Sequence, residues 1–121
     1  MAKKQKKTDF YRVGSTPGAA IIASVDVGLG QQGFVSMFLD KTPILSAPAP
    51  VGLQRVGTAA DVKGKLLIVE TKVTDVMELT NKMSVTVRLT GGRAVKLITQ
   101  PGEVAEQNDS ILFQTIVLLR E

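Results

Sequence analysis

Apolar and polar side chains alternate with a period of two along most of this chain, and Gly, Pro, Asn and Asp separate the alternating segments. Successive side chains of a β-strand point to opposite faces, so this period is typical of strands with one face in a core. Residues 83–90 show it most clearly, because Val85, Val87 and Leu89 alternate with Ser, Thr and Arg. The pattern predicts an antiparallel all-β protein with about seven strands.

Turn residues and chain length extend this prediction to an architecture. Gly91 and Gly92 tolerate the positive φ of a tight turn, so we expect residues 84–99 to form a β-hairpin. Pro48 and Pro50 exclude a central strand and place residues 47–52 in a loop or at a sheet edge. We predict one domain over residues 9–121, a two-sheet β-sandwich with a Greek-key or jelly-roll path, and the alternative is an open β-barrel.

The stretch from Val25 to Asp40 contains Gly28, Gly30 and Gly33 at the spacing of a dinucleotide-binding loop. That loop requires a following helix and an acidic residue about 20 positions further on, and this chain has neither pattern. We therefore interpret the glycines as a hairpin connection between two paired strands. In the second of these, Phe34 and Phe38 share a face, which we expect to lie in the core.

Positive charge is concentrated at the N-terminus. The formal net charge of +4 equals the contribution of Lys3, Lys4, Lys6 and Lys7, and the remaining chain has 11 basic and 11 acidic residues. We predict that residues 1–8 form a disordered basic tail. The candidate contacts for nucleic acid or another polyanion are the four lysines of this tail and two residues that follow it: Lys3, Lys4, Lys6, Lys7, Tyr11 and Arg12.

The chain contains no Cys and no His. Thiolate and imidazole catalysis, disulfides and the usual zinc ligands are therefore excluded, and no cofactor or metal site is predicted. The acidic residues are scattered and mostly lie in turns; Asp26 interrupts an apolar strand, where we expect it to face solvent beside Ser24. Without a signal peptide or a membrane span, the sequence favours the cytoplasm.

The C-terminal segment, residues 110–119, is apolar on both faces of its predicted strand. Ile111, Phe113, Val117 and Leu119 lie on one face, and the candidate interface residues Leu112, Ile116 and Leu118 lie on the other. Such a strand is either covered twice within its own domain or completed by a second copy of the chain, and we predict a homo-oligomer.

These observations predict three classes of function. The first is a non-catalytic binding or assembly module that acts through loops or a sheet face on a protein or carbohydrate ligand. The second is binding of nucleic acid or an anionic surface through the Lys-rich segment, with an affinity that falls steeply as salt is added. The third is an enzyme that uses carboxylates not visible as a motif.

Overall fold

The computed structural model describes residues 3–121, and these form nine β-strands and one short helix. The helix, α1, spans Ala59–Val62. Within residues 3–121, no helix is long and apolar enough to cross a membrane. The strands are β1 Lys3–Arg12, β2 Ala20–Gly28, β3 Gln32–Leu39, β4 Thr42–Pro48, β5 Val51–Thr58, β6 Leu66–Thr74, β7 Lys82–Thr90, β8 Lys96–Glu103 and β9 Ser110–Arg120.

The strands form two sheets. Sheet A has the order β1-β9-β6-β3-β4 and sheet B the order β5-β2-β7-β8. All paired neighbours are antiparallel except β1, which runs parallel to β9. The sheets do not close into a barrel, so the predicted two-sheet sandwich is confirmed.

The chain passes between the sheets in four long segments, each with one strand in either sheet. These are β2 with β3, β4 with β5, β6 with β7, and β8 with β9, and in both sheets the segments lie in the same order. The fold is therefore one four-segment sheet folded across a line of crossovers. We call this line the crossover end; it consists of residues 29–31, 49–50, 75–81 and 104–109. We call the opposite end the hairpin end; it has the β3–β4 and β7–β8 hairpins, at residues 40–41 and 91–95, and the connection from β5 to β6, at residues 59–65.

Gln31 organises the crossover end. Its side chain is 7% exposed and makes four hydrogen bonds to the backbone between β6 and β7. Oε1 accepts from the amides of Val76 and Met77, at 2.8 and 3.2 Å, and Nε2 donates to the carbonyl oxygens of Thr80 and Lys82, at 3.3 and 3.0 Å. One buried amide side chain thus satisfies backbone groups that a seven-residue crossover cannot pair by itself.

The core lies between the sheets and is almost entirely aliphatic. Alternating side chains of the central strands fill it, and the alternation of Val85, Val87 and Leu89 in β7 is confirmed. Asp26 is exposed on the outer face of sheet B beside Ser24, as expected. The predicted hairpin over residues 84–99 is also confirmed, since Val85 pairs with Gln100 and Leu89 with Lys96.

The interpretation of the glycine segment as a hairpin was wrong. β2 pairs with β5 and β7, and β3 pairs with β4 and β6, so residues 29–31 carry the chain from one sheet to the other. Gly30 has φ +74°, a conformation that L side chains rarely adopt. A Cβ on Gly33 would lie 2.6 Å from Val27 Cγ2, so this glycine allows the two segments to pack closely at the crossover.

The N-terminal residues also differ from the prediction. Residues 3–8 are not a disordered tail but the first part of β1, which pairs with β9 from Lys3↔Ile111 to Arg12↔Arg120. β1 is an edge strand, and exposed lysines on an edge oppose unwanted pairing with other strands. The side chains of Gln5 and Lys7 also donate to carbonyl oxygens of β8, the edge of the other sheet, at 2.7 and 3.2 Å. Residues 1 and 2 lie outside the described residues.

Candidate functional sites

The first candidate site is the outer face of sheet A, which we call the apolar face. Cross-strand register aligns apolar side chains into rows there: Ile116 of β9 pairs with Ile68 of β6, and Ile68 pairs with Phe38 of β3. In the next row Leu118 pairs with Leu66. None of the described residues forms a layer over this face. Its larger apolar side chains are Phe10, Phe34, Phe38, Leu66, Ile68, Leu112, Ile116 and Leu118.

Phe34 and Phe38 belong to this outer face, so their predicted place in the core was wrong. Phe34 is 47% exposed and Phe38 is half-buried, whereas Val35 and Met37 are fully buried. Both faces of β3 carry large apolar side chains, and alternation alone does not show which set faces the other sheet. The second sheet packs on the Val35 and Met37 side.

The structure brings the three candidate interface residues of β9 together on the apolar face. Leu112 and Ile116 are half-buried and Leu118 is 39% exposed, while Ile111, Phe113, Val117 and Leu119 fill the core. β9 is an internal strand, between β1 and β6. Its outward apolar side chains are therefore shielded only by their neighbours in the same sheet.

The outer face of sheet B has a different chemistry. Its two central strands, β2 and β7, direct mainly polar side chains outward, with Ile22 as the apolar exception. Thr86 and Thr99 form a hydroxyl–hydroxyl hydrogen bond of 3.1 Å across the β7–β8 pair. The polar outward side chains of β2 and β7 are Ser24, Asp26, Ser84, Thr86, Arg88 and Thr90.

The second candidate site lies at the hairpin end, where β1, the β7–β8 connection and the end of β9 meet. We call it the basic pocket. It has a volume of about 200 Å³ and is lined by residues 10–12 and 93–96. Arg120 lies beside it, since its guanidinium carbon is 4.2 Å from the centroid of the Phe10 ring. The cationic members are Arg12, Arg93, Lys96 and Arg120.

Tyr11 holds this pocket in shape rather than contacting a ligand. Its ring is 3% exposed, so the proposed role of Tyr11 as a surface contact for a polyanion does not fit the structure. Its hydroxyl donates to the carbonyl oxygen of Ala94 at 2.6 Å and accepts from the amide of Gly92 at 2.9 Å. The amide of Arg93 also donates to the carbonyl oxygen of Arg12 at 3.0 Å. The connection is thereby fixed to β1 at three points.

Lys96 is the cation of the pocket whose position is most restrained. Its Nζ donates to Asp9 Oδ1 at 2.7 Å and to the carbonyl oxygen of Phe10 at 2.8 Å, and lies 4.4 Å from the Phe10 ring centroid. Partial burial alone would raise the pKa of the Asp9 carboxyl. Hydrogen bonds from Lys96 and the Phe10 amide, together with nearby positive charge, outweigh this effect and hold the pKa below its ordinary value.

The other predicted polyanion contacts are divided among different surroundings. Lys4, Lys6 and Arg12 are exposed on the outward side of β1. Lys7 donates to β8, and Lys3 lies with Glu103 and Asp109 in a depression of about 320 Å³ at the crossover end. Only Arg12 lines the basic pocket. Arg93, Lys96 and Arg120 were not predicted as contacts, because they are distant from Arg12 in the sequence and no motif links them.

The acidic residues are the groups on which a carboxylate-based enzyme would depend. Within residues 3–121, no group of three or more Asp and Glu side chains is placed to hold a metal ion. Asp75 is fully buried at the crossover end; its Oδ1 accepts from the Met77 amide at 3.2 Å and its Oδ2 has no hydrogen-bond partner. An enzyme based on carboxylates remains a prediction.

Comparison with known proteins adds no assignment. No protein-family model matches the chain, and no curated protein and no solved structure shows significant similarity to it. We therefore infer function from the geometry and chemistry of the apolar face and the basic pocket.

Proposed function

We propose that this protein is a non-catalytic assembly module that associates with a second copy of itself through the apolar face. The observation that carries the proposal is the contrast between the two outer faces of one sandwich. The central strands of sheet B present mainly serine, threonine and charged side chains, as a solvated sheet does, and its exposed leucines, Leu53 and Leu97, lie on the two edge strands. Sheet A instead presents aligned rows of Leu, Ile and Phe on its internal strands. Large exposed apolar patches of this kind are typical of interaction surfaces.

The size of the apolar face suits a stable dimer. Five strands with eight residues each cover roughly 24 Å by 27 Å, or about 650 Å² in projection. A standard protein interface buries about 800 Å² on each partner, which the rim around the face would supply. Face-to-face packing of two such sheets also reproduces the sandwich arrangement that the chain already uses internally.

A polar row across the face favours a second copy over an unrelated partner. Lys6 of β1 and Glu70 of β6 both pair with Gln114 of β9, so opposite charges lie on either side of β9. A two-fold axis parallel to β9 would place each Lys6 over the Glu70 of the other copy. This is the self-complementarity that a symmetric dimer requires.

The same axis places Lys4 opposite Lys72 in the preceding row, and this gives the geometry a specific test. Lys72→Glu should tighten the dimer, because it replaces a repulsion with an attraction. Lys6→Glu should weaken it, and the double exchange Lys6→Glu with Glu70→Lys should restore it. If the three variants have the same dissociation constant as the wild type, the proposed axis is wrong.

The assembly itself is tested by light scattering across a wide range of protein concentration. We expect a dimer for the wild type and a folded monomer for Ile116→Lys. The matched control is Thr86→Lys on the outer face of sheet B, which should leave the mass unchanged. A wild type that stays monomeric at high concentration would refute the proposal, as would an Ile116→Lys variant that remains a dimer.

A further inference from the structure

We propose that the basic pocket binds the phosphate group of a small phosphate monoester. This site lies at the hairpin end and shares Phe10 with the apolar face; the light-scattering mass of each variant is therefore measured to distinguish loss of phosphate binding from loss of assembly. Three features of the pocket support the proposal: its excess positive charge, the hydrogen bonds that fix its shape, and the apolar side chains in its wall.

The charge of the pocket is not balanced within the described chain. Arg12, Arg93 and Lys96 line it, Arg120 lies against the Phe10 ring beside it, and Asp9 is the carboxylate that pairs with Lys96. Within residues 3–121, none of the three arginines forms an ion pair with a carboxylate. A local excess of about three positive charges suits a phosphate monoester, which carries a charge of about −1.5 to −2 near pH 7, better than a single carboxylate.

Two of the arginines are placed where they oppose folding. Arg12 of β1 and Arg120 of β9 are directly opposite in the cross-strand register, and both are exposed. Like charges at such positions are destabilising. Residues that disfavour the fold are expected where they serve a function. A dianion bound between the two arginines would be attracted to both and would offset their mutual repulsion.

The pocket is also preorganised. The connection after β7 is fixed to β1 by the Tyr11 hydroxyl and by the Arg93 amide. Lys96 is held by Asp9 and by the Phe10 carbonyl, and the Phe10 ring holds Lys96 and Arg120 beside it. Lys96 and Arg120 are thus restrained before the ligand arrives, and a restrained cation loses little side-chain entropy on binding.

The walls indicate a ligand with an apolar part beside its phosphate. Ala94 and Val95 are exposed next to the cations, and Val95 is 57% exposed. The volume of about 200 Å³ is larger than a phosphate group alone requires. An arginine guanidinium can donate two parallel hydrogen bonds to two oxygens of one phosphate. The apolar wall can cover the organic group to which the phosphate is esterified.

The experiment measures binding by isothermal titration calorimetry and by the rise in melting temperature that a ligand of the folded state produces. The probes are inorganic phosphate, a nucleoside monophosphate, sulfate and acetate. We expect both phosphate compounds to bind, and the nucleoside monophosphate to bind more tightly if the apolar wall takes part. The affinity for the nucleoside monophosphate should rise between about pH 5 and pH 7.5, as the second ionisation of the monoester near pH 6 proceeds, whereas the affinity for sulfate should not.

Variants connect the binding to the pocket. Arg93→Ala and Arg120→Ala should each weaken phosphate binding about tenfold or more, as expected for loss of a charge-assisted hydrogen bond. The matched control, Arg88→Ala on the outer face of sheet B, should bind phosphate like the wild type.

Three results would overturn the proposal. The first is absence of phosphate binding at low salt, and the second is equal binding by the Arg93, Arg120 and Arg88 variants. The third is acetate binding as tight as that of phosphate, which would indicate a site for acidic peptides instead. The light-scattering mass of each variant, measured in parallel, separates these results from any failure of self-assembly.

Discussion

Two buried threonines on neighbouring strands test how much hydrogen bonding of a buried hydroxyl contributes to the stability of this fold. Thr71 of β6 is fully buried between Val35 and Phe113, its register partners, and its hydroxyl oxygen has no hydrogen-bond partner. Thr115 of β9 is 1% exposed, and its hydroxyl oxygen accepts from Gln100 Nε2 at 3.0 Å. The substitution of threonine by valine conserves shape and removes the hydroxyl in both places.

We expect the two substitutions to have opposite signs. Burial of an unsatisfied hydroxyl costs about 1–3 kcal/mol, so Thr71→Val should raise the free energy of unfolding by about 1 kcal/mol or more. Thr115→Val removes a buried hydrogen bond and leaves Gln100 Nε2 with the carbonyl oxygen of Gln114 as its acceptor, at 3.2 Å. It should lower the free energy of unfolding by about 1 kcal/mol.

The assay is urea denaturation followed by circular dichroism, with all variants at the same protein concentration because self-association adds to apparent stability. An increase of about 1 kcal/mol corresponds to a melting temperature about 4 °C higher for a domain of this size. If both valine variants change stability in the same direction by similar amounts, the reasoning is refuted, since hydrogen bonding would not be what distinguishes the two positions.

Three further predictions follow from the described contacts. Gln31→Ala should lower stability by about 2–4 kcal/mol because it removes four backbone hydrogen bonds, and hydrogen exchange should show faster exchange of the amides over residues 76–82; unchanged exchange would contradict this role. Gly91→Ala should destabilise by more than about 2 kcal/mol, because φ is +94° and the new Cβ would meet the Ala20 carbonyl oxygen, whereas Gly18→Ala meets nothing in the structure; equal melting temperatures would refute this. The pKa of Asp9 is lower in the folded state than in the unfolded state, so its stabilising contribution is present above about pH 4 and is lost as the pH falls through the folded-state pKa. The difference in free energy of unfolding between the wild type and Asp9→Asn should therefore shrink in acid. A difference independent of pH would contradict this pKa direction.

The candidate sites were only partly predictable from the sequence. Leu112, Ile116 and Leu118 could be assigned to one face of a strand, because apolar residues on both sides of a strand are visible in the sequence itself. Their alignment with Leu66, Ile68 and Phe38 depends on the pairing of distant strands, which no local pattern specifies. The basic pocket was missed for the same reason: Arg93 and Arg120 meet the end of β1 only after β7, β8 and β9 have found their places in the two sheets.

The sequence by itself determined the β-rich class, the hairpin over residues 84–99 and the inward set of side chains in β7. These features follow from period-two alternation and from turn residues, both of which act between near neighbours in the chain. It also determined that the chemistry of thiols and imidazoles is absent, because composition alone decides that.

The tertiary structure decided what local patterns leave open. Residues 3–8 are polar and basic, and alone they resemble a solvated tail; the unpaired edge of β9 gives them a partner and makes them a strand. Both faces of β3 are apolar, so the position of the opposite sheet determined that Val35 is buried and Phe34 is exposed. Residues 29–31 resemble a hairpin turn, but the pairing of β2 with β7 and of β3 with β6 makes them a crossover. In each case the deciding interaction joins residues far apart in the chain, and its energy exists only when the whole sandwich is assembled.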